Sequence, residues 1–88
     1  MRALGLPDPD QQKKGRQVFE RLFAAQFNQS VRFLGVREGR IYLRVRDGAW
    51  RRRVDITTPQ ILAAFDEFLA PARHRAVVMK IGPAPEHN

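Results

Sequence analysis

Four side chains in one short segment have the types and spacing needed to bind a polyanion. Apolar and polar residues alternate strictly from Arg40 to Arg46, so a strand here would present Arg40, Tyr42, Arg44 and Arg46 on one face. Cations about 7 Å apart along a strand can follow a phosphate backbone, and an aromatic ring among them can stack on a base. This face is our main candidate for nucleic-acid binding. The alternative is an ordinary solvated sheet face.

The charge of the whole chain points in the same direction. The sequence has 16 Lys and Arg against 9 Asp and Glu, a net charge of +7 and a pI of about 11.3. Such a balance is typical of nucleic-acid-binding proteins, although ribosome-associated and anionic-membrane proteins share it. Arginine predominates over lysine, which favours bidentate phosphate contacts but also follows from a GC-rich genome. The charge therefore supports a binding function without specifying the ligand.

A tryptophan corner follows the candidate strand. Asp47 can cap a helix, and Trp50 with Val54 four residues later predicts the buried side of a short helix. Trp50 could stack on a base, but this spacing favours a role as a core anchor.

Three consecutive arginines lie on the same predicted helix. Arg51, Arg52 and Arg53 cannot all point the same way, so at most two of them join the strand face. We assign Arg51 and Arg52 to the candidate nucleic-acid-binding residues. One arginine of the run should pack its stem against the core or pair with Asp55.

Residues for catalysis or metal binding are sparse. The chain has no cysteine, and its only histidines, His74 and His87, are not accompanied by carboxylates at metal-ligand spacing. Asp66 and Glu67 form a charged helix pair, without the nucleophile or oxyanion partner that acid–base catalysis would need. We therefore expect no enzyme activity, no metal, no cofactor and no small-molecule substrate.

The length and composition bound the architecture. The 88 residues, 43% hydrophobic and 28% charged, are expected to form one globular domain over residues 10–82, with a flexible leader at 1–9 and a tail at 83–88. No apolar run is long enough to span a membrane, and the N-terminus lacks the apolar segment of a signal peptide. We expect a cytoplasmic protein that does not bind membranes.

Periodicity predicts an α+β domain in the order helix, strand, strand, helix, helix, strand. The strands are predicted at Val31–Val36, Arg40–Arg46 and Arg75–Ile81, with the first two forming a hairpin. Gly15 should delay the firm start of the first helix to about Arg16, and a separate helix should start at Pro59, with Thr58 as its N-cap, and end before Pro71. The helices are expected to cover one face of a three-stranded sheet. The predicted core residues on the helices are Val18, Phe19, Leu22, Phe23, Phe27, Trp50, Val54, Ile61, Leu62, Phe65, Phe68 and Leu69.

A set of short motifs resembles the DciA family of bacterial replicative-helicase loaders. The matching positions are Gly39, Ile41, Leu43, Val45, Ala49-Trp50, Val54, Ile61-Leu62 and the final Val78-Met79-Lys80-Ile81-Gly82. The resemblance implies a KH-like fold and a cytoplasmic protein that contacts DNA, single-stranded or duplex, and the DnaB-type replicative helicase. The first helix departs from the family pattern, because Phe19 stands where members commonly carry a tryptophan.

Two other functions stay open at this point. An RNA- or ribosome-associated KH-like protein is one, but KH domains clamp RNA with a GXXG loop, and the corresponding segment, Asp55-Ile56-Thr57-Thr58, has no glycine. The helix start predicted at Pro59 could still offer its N–H groups to a phosphate. The other is a protein-interaction module whose basic face meets an acidic partner.

Overall fold

The fold is a three-stranded sheet with two helices packed on one of its faces. The computed structural model describes residues 9–70 and 73–82. The elements are α1 Pro9–Phe27, β1 Val31–Arg37, β2 Arg40–Val45, α2 Gly48–Phe68 and β3 Ala76–Ile81. The predicted α+β class is confirmed. The leader up to residue 8, the tail at 83–88 and Pro71 lie outside the described residues.

The sheet has the order β1-β2-β3, with β1 antiparallel and β3 parallel to β2. Glu38 and Gly39 form the two-residue hairpin turn, with φ of 52° and 78°. Positive φ at both positions matches the right-handed twist of paired strands. The predicted hairpin is therefore confirmed, although β2 ends at Val45 rather than Arg46.

One face of the sheet makes the core. Alternate residues of β1 and β2 are buried against the helices, with Ile41, Leu43 and Val45 fully inaccessible. Most of the predicted helical core residues meet them, and Trp50 and Leu62 are partly buried at the margin. The helical residues in this buried set are Val18, Phe19, Phe23, Phe27, Val54, Ile61, Phe65 and Leu69. The other face of the sheet is left uncovered by either helix.

The two helices predicted after β2 are a single helix, α2, which passes through Pro59. Asp47 is its N-cap, as predicted, and accepts a hydrogen bond from the Trp50 N–H at 3.1 Å. Proline removes one helical hydrogen bond, so a break is the usual outcome. Here the Thr57 and Thr58 hydroxyls donate to carbonyls of the preceding turn at 2.9 and 3.0 Å. Buried apolar residues on both sides of Pro59 hold the helix against the sheet.

The delayed start predicted for the first helix is wrong, because α1 runs continuously through Gly15. A Cβ at Gly15 would lie 2.9 Å from Phe33 Cζ, so the glycine allows the helix to approach the sheet closely. Gln12 lies ahead of the predicted helix start at Arg16. Its side-chain amide instead hydrogen-bonds both backbone groups of Val36, at 2.5 and 2.6 Å.

Two residues of the predicted core are exposed. Leu22 is 43% and Phe68 48% accessible, and they line a surface groove between α1 and α2 together with Val18. Helical periodicity placed them on the apolar side of each helix. They lie at the edge of that side, where the two helices face each other rather than the sheet.

Candidate nucleic-acid interface

The uncovered face of the sheet carries three cross-strand rows of side chains. Residues directly opposite each other on paired strands share a face, with strands about 4.8 Å apart. The register places Arg37 beside Arg40 and Ala76, Gly35 beside Tyr42 and Val78, and Arg32 beside Arg44 and Lys80. We call this surface the basic face, and it combines five cations with one central aromatic ring.

Three of these cations, Arg32, Arg37 and Lys80, were not assigned to the site from the sequence. The signal for Lys80 was present, because it alternates with apolar residues of the third strand. Arg32 and Arg37 are an odd number of residues apart, which on a regular strand puts them on opposite faces. A bulge between Phe33 and Gly35 shifts the register and returns Arg37 to the same face as Arg32.

Arg44 lies at the centre of the most charged row. Its neighbours across the sheet, Arg32 and Lys80, are both cations, and like charges directly opposite one another are destabilising. No carboxylate among the described residues pairs with any of these three. The Arg44 Nε is shielded from solvent and has no hydrogen-bond partner within the described part of the chain. An anion bound along this row would relieve the repulsion.

Tyr42 lies between the two charged rows. Its cross-strand neighbours are Gly35 and Val78, which are small and uncharged, and its side chain is half-buried. Gly35 adds no side chain beside the ring, and Tyr42 lines a surface pocket together with Leu34, Arg37 and Lys80. Aromatic rings on cationic sheets are typical stacking partners for single-stranded nucleic acid.

The remaining predicted binding residues lie outside these rows. Arg46 follows the end of β2, is exposed and makes a 3.8 Å ion pair with Asp47. Arg51 and Arg52 are exposed on the first turns of α2, in the helical layer. Arg53 stacks over the Trp50 ring, with its guanidinium carbon 4.8 Å from the ring centroid. The five cations of the basic face and Tyr42 thus come from β1, β2 and β3.

A second polar feature connects the end of α2 to the segment before β3. The Asp66 carboxylate accepts hydrogen bonds from the His74 backbone N–H at 2.6 Å and from Nδ1–H of its ring at 2.9 Å. The His74 side chain is completely buried and packs edge-on against Phe65. These hydrogen bonds hold the pKa of Asp66 below its ordinary value, and nearby Arg73 adds to the effect. Asp66 therefore has a specific partner in the segment before β3.

Neither a metal cluster nor a membrane span is found in residues 9–70 and 73–82. No three of their His, Asp and Glu side chains come close enough together to hold a metal ion. Neither α1 nor α2 combines the length and the apolarity needed to cross a bilayer.

Comparison with known families places the chain in a family. A family model described as Dna[CI] antecedent, DciA, matches residues 4–78. The chain belongs to the DciA family. The resemblance predicted from the short motifs is therefore confirmed, and the model covers α1 as well as the tryptophan corner. A search of curated proteins finds no match to the chain.

For this DciA protein, membership indicates a role related to loading the DnaB-type replicative helicase in bacteria. The basic face is formed by residues of all three strands. The family model spans almost all of the described domain. Only Met79 to Gly82, at the end of β3, lie beyond the matched residues among those described.

Proposed function

We propose that this DciA protein is a non-enzymatic DNA-binding domain that acts in the cytoplasm as a loader or accessory of the replicative helicase. DNA would lie across the basic face, and the helicase would be its protein partner. Family membership supports the helicase part of the proposal. The DNA part is carried by a single observation, the unpaired row Arg32–Arg44–Lys80 beside Tyr42.

The row favours a polyanion over a single acidic contact. Three adjacent cations about 5 Å apart across the strands match a ligand with repeated charges, and Tyr42 adds a stacking site for an unpaired base. The ordinary alternative, a solvated cationic face, would carry interspersed carboxylates. Among the ion pairs of the described residues, only that between Arg40 and Glu38, at 4.0 Å by the hairpin turn, involves a cation of this face.

The RNA-binding KH mode receives no support from the geometry. Asp55 to Thr58, the segment aligned with the GXXG loop, lies inside α2. Neither a loop nor a helix N-terminus is present there, so the N–H groups expected at Pro59 are not available to a phosphate.

Salt dependence of oligonucleotide binding tests the DNA proposal. We expect affinity for a single-stranded DNA oligonucleotide, measured by fluorescence anisotropy, to fall steeply with salt, because phosphate contacts release counterions. The double variant Arg44→Gln, Lys80→Gln should bind more weakly and reduce the slope of log K against log salt by about 1.4, at roughly 0.7 per contact. Duplex DNA and RNA of the same sequence, measured in parallel, rank the ligands.

A matched control separates the site from net charge. Lys13→Gln removes one cation from the exposed side of α1, in the other layer of the fold, and should leave the slope nearly unchanged. If the single variants Lys13→Gln and Lys80→Gln change the salt slope equally, DNA binding depends on net charge and not on the basic face. Absence of binding at low salt would refute the DNA proposal altogether.

The helicase part needs its own experiment. We expect the tagged protein to retain the host's DnaB-type helicase in a pull-down treated with nuclease, since a loader contacts the helicase directly. Capture of ribosomal subunits instead of helicase would favour the RNA- or ribosome-associated function. Capture of another acidic protein, without helicase, would favour the protein-interaction module.

A further inference from the structure

The two edges of the sheet differ in whether they can accept another strand. On β1, the Gln12 side chain hydrogen-bonds both outward-facing backbone groups of Val36, and the bulge at Leu34 interrupts the ladder. Side-chain caps and bulges are known ways of closing an edge. On β3, no described residue outside β2 hydrogen-bonds to the backbone from Ala76 to Ile81. The β3 edge is open over six residues.

The hydrogen bonds between β2 and β3 show which residues of β3 turn their backbone N–H and C=O groups away from the sheet. The Gly82 N–H donates to the Val45 carbonyl at 2.9 Å, and peptide groups alternate sides along a strand. Val78 and Lys80 therefore turn their backbone groups toward β2. Val77, Met79 and Ile81 turn theirs outward, away from the sheet.

The side chains of the same three residues are incompletely covered. Val77 and Met79 pack against the core but stay partly accessible, and Ile81 is 50% exposed. Their register partners on β2, Ile41, Leu43 and Val45, are fully buried. Apolar side chains on an added strand would extend this apolar surface beyond β3.

A second copy of the domain is a poor occupant for this edge. Among the strands, β3 is the one that α2 contacts most. Joining two β3 strands would bring two α2 helices to within about one strand spacing, 4.8 Å, whereas packed helices need roughly 8–10 Å. A single extended segment without covering helices avoids that conflict.

We propose that the β3 edge binds an extended peptide segment of a partner protein, with apolar and acidic residues in alternation. Apolar side chains would lie beside Val77, Met79 and Ile81 on the core side of the sheet. Acidic side chains would lie on the other side, next to Lys80 at the end of the Arg32–Arg44–Lys80 row. Main-chain hydrogen bonds supply affinity in such strand addition, and the alternation supplies specificity. The inference is independent of DNA binding.

Residue-resolved amide exchange tests the edge directly. In the free protein the amides of Val77, Met79 and Ile81 should exchange faster than those of Val78 and Lys80. A blocked-end peptide of alternating valine and glutamate should slow the three outward amides about fivefold at four times its Kd. Two further peptides of the same charge carry N-methyl groups on every valine or on every glutamate.

The pattern across the three peptides decides the outcome. In an antiparallel pair the valine N–H groups face β3, and in a parallel pair the glutamate N–H groups do. Loss of protection with only one methylated peptide supports the proposal and gives the strand direction. Protection with both, with neither, or with no peptide at all overturns it. Concentration-dependent protection without peptide would assign the edge to a second copy instead.

A variant of the chain provides an independent control. Met79→Pro removes an outward N–H while leaving the β2 ladder intact, and proline is tolerated at such edge positions. We expect this variant to lose peptide binding and to keep its oligonucleotide affinity, with Met79→Leu unchanged in both. If Met79→Pro instead retains the peptide, the proposed edge is wrong. Should Met79→Pro not fold, the methylated peptides still decide.

Discussion

Asp66 joins two parts of the chain that no strand pairing connects. Its carboxylate accepts two hydrogen bonds from His74, and the His74 ring is buried against Phe65. The ring donates through Nδ1–H, while its Nε2 has no partner among the described residues. A lone pair left without a donor costs less than an N–H left without an acceptor, so the Nδ1–H form fits this site. The pair therefore anchors the approach to β3 on the end of α2.

The low pKa of Asp66 makes this anchor sensitive to acid. Because the folded-state pKa lies below the ordinary value of 3.8, the stabilisation is complete above that pH and is lost as the pH falls through the folded-state value. Asp66→Asn should be less stable than the wild type at neutral pH, with the difference shrinking below about pH 4. Urea unfolding across this pH range measures it. Glu67→Gln removes the neighbouring exposed carboxylate, and an identical effect there would exclude a specific anchor.

At the scale of elements, local patterns predicted the strands well and the helix boundaries poorly. Alternation located β2 and β3 to within one residue, and Asp47 was correctly predicted as an N-cap. Proline and glycine misled the prediction in both helices. Gly15 packs closely against Phe33 of β1, where a Cβ would force a shift, and α2 continues through Pro59 because its buried side extends beyond that residue. Both causes are tertiary, so propensity could not reveal them.

The candidate site shows the same limit. Alternation on a single strand grouped Arg40, Tyr42 and Arg44, which the structure keeps together. It could not supply the neighbours, because these depend on strand register, and on β1 the register includes a bulge. Because of the bulge, Arg37 lies on the basic face, although simple alternation from Arg32 would place it on the opposite face.

At the scale of the whole molecule, the described charges are unevenly distributed, because the basic face carries five cations whereas those of α1 and α2 are interspersed with Asp and Glu. Three cations of the basic face, Arg32, Arg44 and Lys80, lack carboxylate partners in the described part of the chain, so function and stability oppose each other there. Arg44→Gln should stabilise the free domain by a few tenths to about 1 kcal/mol at low salt, because it removes repulsion from Arg32 and Lys80. The same variant should bind DNA more weakly.

Urea unfolding at low and high salt checks this trade-off. At about 1 M salt the screening length falls to roughly 3 Å, so the advantage of Arg44→Gln over the wild type should largely disappear. Lys13→Gln is the matched loss of one charge and should show a smaller dependence on salt. If Arg44→Gln lowers the free energy of unfolding at every salt concentration, the packing of the arginine stem, and not its charge, determines the contribution of Arg44 to stability.

The capped β1 edge limits how far any assembly of this domain can grow. Fibres built from sheets need each unit to offer two usable edges, one to receive a strand and one to pass the pairing on. With Gln12 occupying both outward backbone groups of Val36 and a bulge at Leu34, the β1 edge offers no uninterrupted run of free groups, so a strand added at β3 leaves a poor second site for continuing the sheet. A chain with an exposed apolar edge can thus accept one guest strand and still resist runaway aggregation.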